Sequence, residues 1–377
     1  MVAQSDVARH DAVVLFPVCG DLPEHEAVVH ADIARRLADL MDVPFGGVYD
    51  ARQYGGKHCY VVPSGTLIGP AAKEWLGVSA QSDLFGGYAG HAFIPTKAIT
   101  HRLVGPHAER PAGWSEAFTE QVGPAVLPGY TAFCLADLKE AAQRLLDDGT
   151  AVRLKPVLAT AGRGQVCLAQ LGDLDAALQN QDLARLAECG MVLETHLDQI
   201  ITYSVGQVRL PGGLVASYIG TQCLTQDNHG EAVYGGSRLQ FARGDYRALL
   251  QLPLNSECRQ VVELARRYDA AADTCYPEFF ASRRNYDVAA GVDGKGRRQV
   301  GVLEQSWRIG GASRAEIAAL EILAADPDCH TLQAETLELF GPDAVAPSHA
   351  IETYAGEDPD LGLIRKYVMV EAYGNKQ

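Results

Sequence analysis

Short apolar runs bounded by turn-forming residues alternate, along the first quarter of this chain, with stretches whose apolar positions recur every three to four residues. The run at 12–17 (AVVLFP) reads as a buried strand, and 23–41, with a proline near its start, has amphipathic helical spacing. A second strand is expected at 59–63 (CYVVP), then helical spacing near 71–76. This β-α-β rhythm predicts a small Rossmann-like unit. It carries no Gly-x-Gly-x-x-Gly fingerprint, so no dinucleotide is assigned to it. Further along, the pattern predicts a helix at 98–103 and a loop rich in Gly, Pro and His at 105–111. A short strand at 125–130 (AVLPGY) and an amphipathic helix at 135–148 come next. Strands at 151–155 (AVRLK) and 166–169 follow, then a helical stretch over 174–189 and the apolar strand 191–193, which ends on Glu194.

In the second half, 203–210 and 214–221 read as antiparallel strands joined by Pro211-Gly212-Gly213. The polar stretch 226–237 reads as a mobile loop, and 260–272 as a helix. Asn285, Tyr286, Asp287 and Val288 lie on a strand, and Asp293-Gly294-Lys295-Gly296 is a hairpin turn signal. That turn returns the chain to 300–316 (VGVLEQSWRIGGASRAE) and makes Asp287 and Glu304 cross-strand neighbours. Glu304, Ser306 and Arg308 follow at two-residue steps, so an extended strand points all three to one side. Gly310-Gly311 breaks the strand, and Ser313 with Glu316 fits the capping box of a following helix. Residues beyond about 345 read as a terminal appendage.

Composition narrows the possibilities. With 377 residues, 47% hydrophobic and 21% charged, the chain suits two or three globular units. A net charge of −15 argues against a nucleic-acid partner, because phosphate backbones would be repelled over most of the surface. No apolar run approaches the roughly 20 residues of a spanning helix, so no membrane association is expected, and the N-terminus lacks a secretion-signal pattern. Nine scattered cysteines with no Cys-x-x-Cys pair fit reduced thiols and a cytoplasmic location. His25-Glu26 and His30 superficially suggest a zinc-protease helix. Five residues rotate the second histidine by about 140°, however, where that motif needs a shared face.

Three constellations carry candidate chemistry. Lys155 ends a strand and is followed by Gly162-Arg163-Gly164, a cation beside a loop of unencumbered N–H donors that suits an anion. The same residues also suit an ordinary hairpin with an exposed lysine. Asp287, Glu304 and Ser306 offer the hard oxygen donors that magnesium prefers. They equally describe solvated carboxylates on an exposed sheet face, or Glu304 paired only with Arg308. Arg308 suits two-point binding of a carboxylate or phosphoryl group, or a structural ion pair. Glu194 suits an adenine amino group, or a turn.

The order of these parts resembles the ATP-grasp superfamily from about residue 97 to about 324. Thr96-Lys97-Ala98-Ile99-Thr100 is similar to its opening lysine segment. Val126-Leu127-Pro128-Gly129-Tyr130 is similar to the strand before its small lobe, and Val152-Arg153-Leu154-Lys155-Pro156 to its Lys-Pro strand. Gly162-Arg163-Gly164 resembles its phosphate lid and Met191-Val192-Leu193-Glu194 its adenine hinge. Asn285-Tyr286-Asp287 and Leu303-Glu304-Gln305-Ser306-Trp307-Arg308 resemble its two metal-binding strands. The resemblance implies an α/β and α+β architecture: a Rossmann-like domain (1–96), a small lobe with linker helix (97–195), a large lobe with the metal site (196–345) and the appendage (346–377). It implies ATP and Mg2+ as cofactors, and ligation of a small-molecule carboxylate, activated as an acylphosphate, to an amine or other nucleophile. The alternatives are a small-molecule kinase and a non-catalytic nucleotide-binding homologue. By the same resemblance, Lys97, Lys155, Gly162, Arg163, Gly164, Glu194, Leu197 and Asp198 would bind nucleotide, and Asp287, Glu304 and Ser306 metal. Arg308 and Lys155 would be catalytic. Arg238, Arg284, Tyr203, Gly311 and Ser313 are substrate candidates. Homodimers are common in this architecture, although nothing in the chain marks an interface. Two departures stand out: Ser306 occupies a position where the family commonly has asparagine, and the ribose-binding acid falls near Thr202, with Asp198 the nearest carboxylate.

Overall fold

Strand β1 (Ala12–Phe16) runs at the centre of a three-stranded parallel sheet, between β2 (Phe45–Val48) and β3 (Cys59–Pro63). The computed structural model describes residues 9–18, 20, 22–158, 164–179 and 181–372. Helix α1 (Glu24–Met41) makes the crossover from β1 to β2, burying Ile33, Ala34, Leu37 and Ala38 at three- and four-residue steps. β3 is buried along its whole length, as befits a parallel strand covered on both faces.

The next unit contains β4 (Gly129–Ala132), α2 (Leu135–Asp147), β5 (Val152–Pro156), β6 (Val166–Leu168) and β7 (Met191–Thr195). Its four strands form an antiparallel sheet in the order β4-β7-β5-β6. Two expectations are corrected here. The helix at 98–103 is only a 3-10 turn, Lys97–Thr100, with Thr96 Oγ1 accepting from the Ala98 N–H at 3.2 Å. Thr100 leaves the helical course because its hydroxyl bridges the Tyr268 hydroxyl (3.1 Å) and the Leu303 carbonyl (3.3 Å). The strand at 125–130 begins only at Gly129, since Pro128 has no N–H to give a ladder.

The large sheet has eight antiparallel strands. These are β8 (Leu197–Arg209), β9 (Val215–Gln226), β10 (Ala232–Arg243), β11 (Arg283–Asp293), β12 (Arg298–Ser306), β13 (Thr331–Phe340), β14 (Ile351–Asp358) and β15 (Gly362–Ala372). Their order is β12-β11-β8-β9-β10-β13-β15-β14. Helices α3 (Ser256–Cys275) and α4 (Ser313–Ala325) interrupt the run. The stretch 226–237 is a turn at Asp227–Gly230 followed directly by β10, so the looser reading of it fails. Glycine and polar residues in this stretch concealed a strand that buries side chains on both faces, Phe241 in one core and Ala242 in the other.

The supposed appendage is also corrected. β14 and β15 complete the large sheet, with Ile364 and Val368 almost fully buried and His25 of α1 lying 3.7 Å from Asp358. One face of the large sheet carries Tyr218, Leu239, Phe241 and Ala334, which pack with Ile317, Leu320 and Leu323 of α4 and with α1 and β1 of the N-terminal unit. The other carries Val205, Ile219, Tyr286 and Val288, which join α3 and the four-stranded unit in one core. The eight described cysteines are unpaired. Among the described residues no helix is long and apolar enough to cross a membrane.

Candidate active site

The β11–β12 hairpin sets the site. Asp293 accepts from the Lys295 and Arg297 N–H groups at 3.0 and 2.9 Å, closing the turn that fixes the register. The turn's own register would set Leu303 opposite Asp287, but a bulge between Val302 and Glu304 shifts it by one residue, so that Glu304 faces Asp287 and Ser306 faces Asn285. Beyond the end of β12 the alternation persists: Gln305, Trp307 and Ile309 are buried, while Glu304, Ser306, Arg308 and Gly310 are half-buried. Asp287 Oδ1 accepts from Gln222 Nε2 (2.9 Å) and Asn285 Nδ2 (3.0 Å), with Ser204 Oγ at 3.4 Å. Its Oδ2 has no donor among the described residues. Burial, followed by repulsion from Glu304, pushes the Asp287 carboxyl up to about 6.

Two lysines approach from the other lobe. Lys97, 5% exposed, places Nζ 3.1 Å from Glu304 Oε2 and 3.5 Å from the Pro156 carbonyl of β5. A single ammonium thus spans the candidate metal strand and the Lys-Pro strand. Lys155 is buried against Glu194 Oε1, and His101 Nε2 lies 3.1 Å from Glu194 Oε2. Burial would raise the Glu194 carboxyl, but Lys155 and His101 outweigh it and hold the group at about 2. Both oxygens of Glu194 are therefore engaged, and its carboxylate anchors Lys155 rather than facing an adenine. Gly129 makes the His101 contact possible: a Cβ there would meet His101 Nδ1 at 2.7 Å. Gly162 and Arg163 lie outside the described residues, as does most of the loop read as a lid. Gly164 takes a φ of +68° and its carbonyl accepts from Gln181 Nε2 at 3.1 Å.

The segment after β12 is held from below by a residue that sequence reasoning missed. Arg283, 1% exposed, is paired with Glu316, 0% exposed, through both Nε and Nη2, and donates from Nη1 to the carbonyls of Ser306 (3.1 Å) and Arg308 (2.5 Å). Glu316 therefore serves this pair, and the capping-box expectation is wrong. Ser313 lies inside α4, and its Oγ accepts from the Gly310 N–H at 3.0 Å. Gly311 has a packing reason, since a Cβ there would meet the Tyr234 ring at 2.6 Å. Arg308 has no carboxylate at ion-pair distance among the described residues; its Nη1 donates to the Ile309 carbonyl at 2.8 Å.

Three substrate candidates are not brought here. Tyr203, Thr221, Arg238 and Glu335 are cross-strand partners in one row, and Tyr203 pairs with Val288, one residue out of phase with Asp287. They occupy the opposite face of the sheet. Tyr203 donates to Glu257 of α3 (2.7 Å), Arg284 pairs with Asp269 (3.0 Å) and Asp273 (2.9 Å) of α3, and Arg238 pairs with Glu335. Leu197 is a core residue against Leu127 and Ala289, while Asp198 is exposed, 3.5 Å from His196. Ser204, Gln222 and Asn285, which orient Asp287, were missed. Asn285 was within reach of the period-two rule, being two residues before Asp287 on the same strand.

Residues 13–368 match the family described as "Protein of unknown function (DUF3182)". The chain belongs to that family. No curated protein sequence matches it. Among solved structures, it is similar to N5-carboxyaminoimidazole synthetase from Staphylococcus aureus complexed with ADP. That match has 14% identity, covers 98% of this chain and 95% of the other, and has a TM-score of 0.57. The biotin carboxylase domain of the Hydrogenobacter thermophilus 2-oxoglutarate carboxylase, in complex with MgADP, ADP and bicarbonate, matches at 13% identity, with 97% and 87% coverage and a TM-score of 0.55. Biotin carboxylase from Campylobacter jejuni, with 12% identity, 96% and 88% coverage and a TM-score of 0.54, is similar too. At these identities the likeness is one of fold, and this DUF3182 member has the ATP-grasp fold.

Proposed function

We propose that this protein is an ATP- and magnesium-dependent ligase that activates a carboxylate as an acylphosphate and joins it to an amine or another nucleophile. The observation that carries the reading is the Asp287–Glu304 pair. One carboxylate is buried and oriented through Oδ1, with no donor to Oδ2 among the described residues, beside a second whose described partner is the Lys97 ammonium. Two facing acids need a cation, and this donor set fits magnesium, with Asp287 and Glu304 as ligands and Ser306 beside them. Magnesium, when bound there, would neutralise charge on the reacting phosphates.

The rest of the chemistry falls to the protein's own residues. Lys97 would exchange its contact with Glu304 for phosphate oxygens, and Lys155, positioned by Glu194, would hold others. Arg308 would steady the substrate carboxylate, since no carboxylate among the described residues lies at ion-pair distance from its guanidinium. Arg283 would keep the Arg308 backbone in place from beneath. The similar structures were solved with ADP, MgADP and bicarbonate, which is consistent with a nucleotide and a small acid meeting between such lobes.

ADP release, measured with magnesium over a pool of carboxylates paired with amines, tests the reading. Full rate should need two co-substrates, and Glu304→Gln should abolish it while leaving the fold intact. A rate unchanged in that variant would reject the metal assignment. Full turnover with one substrate would make the protein a kinase.

A further inference from the structure

At the opposite end of the N-terminal sheet from the crossover to α1, two histidines and an aspartate converge that the proposed reaction does not use. His10 immediately precedes β1, His58 precedes β3, and Asp83 ends the 3-10 turn Gln81–Asp83. His58 Nε2 lies 3.3 Å and His10 Nε2 3.9 Å from Asp83 Oδ1, and one ligand atom from each residue falls within 4.8 Å of the others. This is the sole three-residue group of that kind among the described residues. The helix pair His25 and His30 forms no part of it.

The surroundings argue for a built site. The backbone sets the two imidazoles side by side: Asp11 N–H donates to the His58 carbonyl, and His58 N–H donates back to Asp11 Oδ2, each at 2.8 Å. The rings stack with centroids 4.2 Å apart. Asp83 is fixed from behind, its Oδ2 accepting from Ser79 N–H (2.8 Å), Ser79 Oγ (2.8 Å) and Ala80 N–H (2.9 Å), which turns Oδ1 toward the histidines. The independent sign is His10. Its side chain is 2% exposed, and Nε2 has no hydrogen-bond partner although it is aimed at this point. An orphaned buried nitrogen destabilises the fold unless something binds it.

We propose that His10, His58 and Asp83 bind a zinc ion. Two imidazole nitrogens and a carboxylate oxygen suit a borderline-soft divalent ion rather than magnesium. Around tetrahedral zinc, ligand–ligand edges of about 3.3 Å follow from bond lengths near 2 Å; the His58–Asp83 edge already has that length, while His10, 3.9 Å from Asp83 and stacked on His58, must move inward and turn its ring. His10 and Asp83 are buried and His58 is 38% exposed, so solvent reaches the ion from one side, leaving one position for water. The role is structural. The three ligands join the starts of β1 and β3 to the segment entering Leu84–Gly87, where Gly87 packs against Trp307. Zinc here would staple the N-terminal sheet to the segment that bears Arg308.

The test uses the untagged full-length chain. Metal content is measured after purification without chelator, then zinc is titrated into stripped protein against a chromophoric competitor. One tightly bound zinc per chain and a raised Tm on zinc addition are expected. His58→Ala and His10→Phe should weaken binding by about 10–100-fold or more, while Glu304→Gln should bind zinc as wild type. Should His10→Phe fail to fold, the half-exposed His58→Ala decides. Absence of zinc uptake by the wild type, or uptake undiminished in His58→Ala, would overturn the proposal. Uptake lost only in Glu304→Gln would place the ion in the ATP site instead.

Discussion

Asp287 illustrates how a single residue can be poorly suited to the folded state and well suited to a ligand. It is buried, faces Glu304 and has one oxygen with no donor among the described residues. Asp287→Asn should therefore leave Tm unchanged or raise it in magnesium-free buffer, and should abolish the extra stabilisation that magnesium with an ATP analogue gives the wild type; thermal scans with and without the ligands check both. His30 gives the pH dependence. Burial, offset by Glu26 and reinforced by Arg308, Lys366 and His25, pulls its pKa down to about 4. Between 6.5 and 4 the unfolded chain binds the proton more readily than the fold, so stability should fall as pH falls through that window. Below it no further loss from this group is expected. His30→Leu should flatten the urea-midpoint profile there, by about 3 kcal/mol at most from a shift of this size.

At the scale of elements, the Lys155 strand and the hinge strand are locked together by the His101–Glu194–Lys155 chain. Glu194→Gln would leave a buried ammonium without its anion, at a cost of about 3–5 kcal/mol. Equilibrium unfolding at neutral pH should show that loss, whereas a mere adenine contact would leave apo stability unchanged. This pairing was not legible in the sequence, because it depends on a glycine at 129 that admits a histidine from elsewhere in the chain. The Asp287–Glu304 pairing was legible to within one residue: the turn motif brings the two strands together, a bulge at Leu303 that no turn residue marks sets Glu304 opposite Asp287, and alternation carries on from there through Arg308. Period-two reasoning also shows why Tyr203 and Arg284 could not join Asp287: each is an odd step away, on the same or the neighbouring strand. The capping box failed for a different reason. Its spacing was right, but Glu316 faced a buried guanidinium that offered more than an exposed N–H.

For the whole molecule, the β-α-β opening and the order of lysine, hinge and metal strands made the architecture readable over more than half the chain. The last two strands were missed because no candidate chemistry marks them. Deleting everything after Pro347 would uncover one edge of β13 and the surface of α1 near His25, so the truncated chain should be insoluble; soluble yield and size-exclusion profile against the full chain check this. The same closure bears on folding. Helix α1 packs on β1 and α4 and also lies beside β14, so the sheet carrying Asp287 is complete only when elements far apart in sequence have met. Contacts that close so long a loop carry an entropic cost and slow folding, so the large sheet should form after the N-terminal one.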